Sequence, residues 1–212
     1  MVHRARLDGQ EFRVIRPARP VARATLRDRD TVFDLDVDAG AAVQLGLLWA
    51  LAGRSPRSLV HLPLRANPLP AELAEDPAQP RLDLVLLHHT LQFPPSRWPQ
   101  LRARLGAGSP QTARLRDADA PDDATVDRAA RRHRENRDRF HQHIHAETLF
   151  ITGSAALFRQ TARRFLRLAA DGPGYLTRYP NAQHYCEEFH RGDGVLAETA
   201  RQIHIEYTDR WS

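Results

Sequence analysis

Residues 31–53 constrain the fold more than any other stretch. Thr31, Phe33, Leu35 and Val37 alternate with Val32, Asp34 and Asp36, the period of two expected of a strand with one buried face. Asp38 follows where an N-cap belongs, since its carboxylate can accept from the orphan N–H groups of a first helical turn. The run from Ala39 to Ala52 is apolar nearly all round, which predicts a buried helix, and Gly53 marks its end. A strand that hands over directly to a buried helix calls for a sheet with that helix packed on it.

The rest of the chain is read against this unit. Residues 2–15 form a predicted hairpin about Asp8-Gly9, a dipeptide suited to a type I′ turn, and 21–26 a further short strand. Residues 59–64 and 82–88 read as strands, separated by a Pro-rich loop at 65–80. Ser96 caps a short helix that ends near Leu105. After a loop at 106–124, residues 125–140 read as a polar helix with a thin apolar stripe of Val126, Ala129, Ala130, His133 and Phe140.

The earlier order then recurs. Residues 147–152 read as a strand and Ser154 caps a helix to Ala170. Gly172-Pro173-Gly174 is expected to stop it, and strands are expected at 175–179 and 202–208. The expectation is an α+β chain of two βαββ-like halves, with helices packed on one side of one or two sheets. Its divisions are a basic N-terminal hairpin arm (1–30), a first half with the short helix (31–105), a loop and polar linker helix (106–140), and a second half (141–212).

Composition narrows the function classes. Of 212 residues, 42% are hydrophobic, enough for a real core. The 31 basic residues are all Arg against 26 acidic ones, giving a net charge of +5, modest for a dedicated nucleic-acid binder. Drift from Lys to Arg codons in a GC-rich genome accounts for an all-Arg set; selection for bidentate phosphate or carboxylate recognition is the alternative. A single cysteine, Cys186, cannot make an intrachain disulfide and suits a reducing compartment. The charged start shows no leader-like apolar segment. The longest apolar run, 39–53, is shorter than the roughly 20 residues needed to span a bilayer. A cytoplasmic protein that does not enter membranes is expected.

Four groups of residues are candidates for chemistry. His141, His143, His145 and Glu147 could supply metal ligands: on a strand all four share a face, and on a helix they pair one turn apart. A transition metal is therefore carried as a possible cofactor, with none assigned. His184, His190, His204 and Glu206 lie in the same half and could converge as further ligands, and Cys186, with His184 and His190 near it in sequence, is a possible nucleophile. Asp34 and Asp36 on one strand, with His204 and Glu206 on another, would form a polar sheet face if those strands are neighbours. His88 and His89 end a buried strand, a place where α/β sites often sit. Arg128, Arg131, Arg132 and Arg134 could lie on phosphates, although Asp127, Glu135 and Asp138 interleave with that run. The Asp-rich stretch at 117–127 lacks the central Gly of a calcium loop and carries Arg128 where its last carboxylate belongs. Gly-rich phosphate loops, GxSxG and HExxH patterns are missing from the sequence.

The stretch 147–209 resembles a family of small polymorphic-toxin immunity proteins. The likeness is carried by Phe150-Ile151-Thr152-Gly153-Ser154, the helix to Ala170, Gly172-Pro173-Gly174 and Gln202-Ile203-His204-Ile205-Glu206-Tyr207. The Trp-Gly-Gly-type loop that the family places after its second strand is missing. The resemblance implies a βαββ fold and a non-enzymatic, intracellular immunity or accessory protein that binds another protein. Two further classes stay open: a metal-dependent enzyme using 141–147, and a nucleic-acid binder using the arginine-rich helix.

Overall fold

The computed structural model describes residues 1–73, 79–114 and 116–211. Its strands are β1 (Val2–Leu7), β2 (Gln10–Ile15), β3 (Ala24–Asp28), β4 (Val32–Val37), β5 (Ser58–Leu62), β6 (Arg81–His88), β7 (His141–His145), β8 (Thr148–Gly153), β9 (Tyr185–Phe189) and β10 (Gln202–Tyr207). Its helices are α1 (Ala39–Arg54), α2 (Trp98–Ala103), α3 (Arg128–Arg132) and α4 (Ala155–Arg178).

The expected α+β architecture with two βαββ-like halves is present, and the halves exchange strands. The hairpin β3–β4, α1 and the antiparallel pair β5–β6 make one series; the hairpin β7–β8, α4 and the antiparallel pair β9–β10 make the other. Each hairpin completes the other half's sheet. β4 runs parallel to β10, and β8 runs parallel to β6. Two four-strand units result, β7–β8–β6–β5 and β3–β4–β10–β9, joined where Leu26 and Arg27 of β3 meet Leu82 and Arg81 of β6. The β1–β2 hairpin extends the first unit through a parallel contact of β2 with β5.

Capping and close approach hold the helices. The Asp38 carboxylate accepts from the Ala41 N–H at 2.6 Å, and the Ser154 hydroxyl from the Leu157 N–H at 3.0 Å, which satisfies first-turn donors at both helix starts. α1 and α4 pack on one another over the sheet. At Gly46 a Cβ would stand 3.0 Å from the Leu166 side chain, and at Gly53 it would stand 3.0 Å from the Ala155 carbonyl, so a larger residue at either position would push its neighbour back by a few tenths of an ångström. Trp49 sits at its centre. Its indole donates to Thr161 Oγ1 at 2.8 Å and its rings meet Phe140, Phe158, Phe165 and Phe189. This core draws on both halves. A second cluster, on the other face of the first unit, packs Phe12, Val14, Leu59, Val85, Leu87 and Phe150 beneath Trp98 and Leu101 of α2.

Two local expectations give way. Residues 175–179 are not a strand: α4 runs through Pro173 to Arg178, and the strand before β10 is β9 at 185–189. Pro173 removes one helical hydrogen bond, but Gly172 lies flat against the Tyr207 ring and Tyr175 packs on Tyr179 and Tyr185. Tertiary packing thus carries the helix across the break. Within 125–140 an α-helix spans only 128–132, after an Asp127 cap. Arg131 bonds Gln160 and Asp138, and Asn136 bonds the carbonyls of Arg131 and Gly194. Those side-chain bonds replace the helical ladder beyond His133.

Candidate functional site: the polar face of the second sheet unit

In β3–β4–β10–β9, alternate residues point into the α1–α4 core and the others point away. Phe33, Leu35, Ile203 and Ile205 are core. The opposite face is organised in two rows by register. Arg27, Asp34, His204 and Glu188 lie side by side across the four strands, followed by Thr25, Asp36, Glu206 and Cys186. The sequence-predicted set Asp34, Asp36, His204 and Glu206 is therefore brought together, as cross-strand neighbours.

Arg27 anchors the rows. Its guanidinium donates to Asp36 Oδ2 at 3.1 Å, to Asp34 Oδ2 at 3.3 Å and to Gln79 Oε1 at 2.7 Å, and all three charged residues are buried. Arg29 adds a bond to Asp34 at 2.9 Å. The 65–73 segment lies over β3: Thr25 Oγ1 donates to the Pro68 carbonyl at 2.7 Å, and Asn67 Nδ2 donates to the carbonyls of Val21 and Ala24.

The environment pushes neighbouring carboxyls apart. Burial raises Asp34, but hydrogen bonds from His204 and Arg29 outweigh it and hold the group below the ordinary carboxylate range. For Asp36, burial wins over Arg27, and Glu206 and Asp34 add like-charge repulsion, so its carboxyl is pushed up to about 6. His204 is raised because Nδ1 lies 3.6 Å from Asp34 Oδ1, against the pull of burial.

The outer part of the face is open. His184 is exposed, and Cys186, His204 and Glu206 are half-buried. One ligand-capable atom from each of His184, Cys186 and His204 lies within 4.8 Å of the other two, and the imidazole rings meet edge to face at 5.4 Å. Beside them is a cavity of about 430 Å³ lined by Leu176, Pro180, His184, Glu206 and Tyr207. Burial, with Glu188, Glu206 and Glu187, pushes the Cys186 thiol up, which argues against an activated thiolate nucleophile.

The other predicted residues are placed as follows. His141, His143 and His145 share one face of the strand β7, opposite Thr152, Phe150 and Thr148. Glu147 is not on that face. It sits with Ala146 in the β7–β8 turn at φ 55° and pairs with Arg65, so the turn takes it away from the three imidazoles. The His88 and His89 rings lie 4.3 Å apart at a tilt, and His88 Nδ1 lies 2.9 Å from Thr90 Oγ1. Burial lowers the His88 pKa, with the neighbouring His89 adding to it. Arg128, Arg131 and Arg132 line a cavity of about 350 Å³ with Arg164 and Arg167, but Glu187, Glu188 and Asp193 line it too. Arg164 pairs with Asp193, Arg167 with Glu187 and Arg131 with Asp138. Arg134 lies apart, exposed and beside Glu135.

Sequence reasoning missed Arg27, whose only signal is its alternation with Ala24 and Leu26, and, although it grouped His184 with His204, it missed that Cys186 joins them. It also missed a buried group on the first unit. There Arg16 Nε donates to His61 Nδ1 at 2.9 Å, while His61 Nε2 lies 3.7 Å from Asp83 Oδ2. Comparison with protein-family models, curated proteins and solved structures gave no match.

Proposed function

We propose that this chain is a non-catalytic protein-binding protein, of the immunity or accessory type, that meets its partner with the outer face of β10 and β9. The observation that carries the reading is the rigid charge platform of that face. Buried Arg27, Asp34 and Asp36 are locked together from below, and Glu206 and Glu188 stand half-buried above them. Fixed carboxylates on a preorganised sheet recognise a basic partner surface without a further ordering cost. Asp36 fits a supporting role: it is buried within the second row and held by Arg27 instead of facing a substrate-sized enclosure.

The test uses immobilised full-length protein and the proteins that co-elute with it. A single partner is expected in stoichiometric amount, with binding weakened at least tenfold by the pair Glu188→Arg and Glu206→Arg, and weakened by salt. Turnover of a substrate by the purified protein, or partner binding indifferent to both reversals, would overturn the reading.

A further inference from the structure

We infer that His184, Cys186 and His204 form a binding site for a thiolate- and imidazole-preferring divalent cation, with Zn²⁺ the best fit. The inference does not depend on the protein-binding reading.

The three ligands come from different places in the chain, and the fold brings them together. β9 and β10 are antiparallel, with Glu206 opposite Cys186 and His204 opposite Glu188. Cys186 and His204 therefore lie diagonally on the same face, and His184, just before β9, reaches the same spot. Their ligand atoms already lie within 4.8 Å of one another. In a tetrahedral zinc site with Zn–S near 2.3 Å and Zn–N near 2.0–2.1 Å, ligand atoms stand about 3.3–3.8 Å apart. Closing the set thus needs about an ångström of side-chain adjustment, and His184, being exposed, is free to supply it.

His204 turns Nδ1 toward Asp34, 3.6 Å away, and Asp34 is held by Arg27 and Arg29. A carboxylate behind one ring nitrogen fixes the imidazole orientation and makes the other nitrogen a better ligand. The charge also suits a cation: Glu188 and Glu206 are the cross-strand neighbours of the two strand-borne ligands. One sulfur and two nitrogens favour Zn²⁺ over the oxygen-seeking Mg²⁺ and Ca²⁺. His184 and Glu206 line the adjoining cavity, so the fourth position is open to water. Binding expels the Cys186 proton to solvent, because the ligand is the thiolate. The trio on β7, with His141 and His143 exposed and His145 half-buried, has no thiol, and among the described residues no carboxylate stands behind its rings.

The experiment titrates metal-free, untagged, full-length protein with Co²⁺ alone and then displaces it with Zn²⁺ alone. One equivalent of Co²⁺ is expected to give a thiolate-to-cobalt charge-transfer absorption that Zn²⁺ removes. His184→Ala and Cys186→Ser are each expected to lower affinity at least tenfold, and Cys186→Ser to abolish the absorption. His143→Ala is expected to leave affinity unchanged. Because His184 is exposed and serine nearly matches cysteine in size, both variants should keep the wild-type thermal midpoint without metal. The inference is overturned if wild-type protein shows no charge-transfer absorption, if both site variants bind as wild type does, or if affinity follows His143 instead.

Discussion

The two sheet units share one strand plan but differ at the centre of the faces turned away from α1 and α4. In β7–β8–β6–β5 that face has an apolar centre, with Val85, Leu87, Phe150 and Leu59 sealed under Trp98, while buried His61 and Asp83 stand beside it and His141, His143 and His145 run along β7 at its edge. In β3–β4–β10–β9 the corresponding face holds Arg27, Asp34, Asp36, His204 and Glu206. What covers each face decides the difference. The first is roofed by a helix and widened by a hairpin that adds Phe12 and Val14 to the same face. Over the second, among the described residues, lies a loop whose Pro68 carbonyl and Asn67 amide reach down to β3. A polar lid can satisfy a polar face, and it leaves part of that face in contact with water.

The sharpest tests of this contrast strike the centre of each face. Trp98→Ala should destabilise by about 3–5 kcal/mol, the usual cost of emptying a large aromatic site. Arg27→Ala should cost about the same, because it strands two buried carboxylates. Denaturant unfolding at several pH values separates the causes. The Arg27→Ala loss should shrink as pH falls from 7 to 4, since the stranded carboxyls can take protons, whereas the Trp98→Ala loss should not change. Equal pH dependence in both variants would erase the contrast.

Next in size is the titration of Asp36 itself. Its folded pKa, raised to about 6 against an unfolded value of 3.8, means that the folded state holds the proton longer. Its stabilising contribution is complete below the unfolded pKa and is lost as pH rises through the folded one. The stability of the wild type relative to Asp36→Asn should therefore fall by up to about 3 kcal/mol between pH 4 and 7. A difference that stays constant across that range would show that burial does not govern this carboxyl. Smallest are the two equivalent helix caps. Asp38→Ala and Ser154→Ala should each cost about 1 kcal/mol in thermal or denaturant unfolding. Ser154 also donates to Asp138 at 2.9 Å, so the second loss should be the greater of the two.

The strand rhythm made half of the site legible. Thr31 to Val37 and Gln202 to Tyr207 each alternate, so Asp34 with Asp36 and His204 with Glu206 could be assigned to faces before any pairing was known. Their adjacency was not legible, because the β4–β10 pairing joins distant parts of the chain and no local pattern encodes it. The approach of Cys186 and His184 to His204 was hidden differently: it depends on the β9–β10 pair, and the strand before β10 was expected at 175–179 and not at 185–189. At Gly172-Pro173-Gly174 the local rule favours a stop, and the contact with Tyr207 on another strand overrides it. The 125–140 segment errs the other way. Its composition suits a helix, but Arg131 and Asn136 find better partners outside one.

The exchanged hairpins also bear on how the chain comes to be folded. During synthesis, β4 and β6 are complete long before β10 and β8 exist, so each waits with one long edge unsatisfied. Most of the stabilising contacts form late and between distant parts of the chain, which slows folding. Meanwhile the open edges invite pairing with the wrong strand or a neighbouring molecule. Truncation before β8 should thus yield an aggregating fragment and not a small folded half. The exchange that knits the mature protein together makes its nascent form depend on finishing the chain.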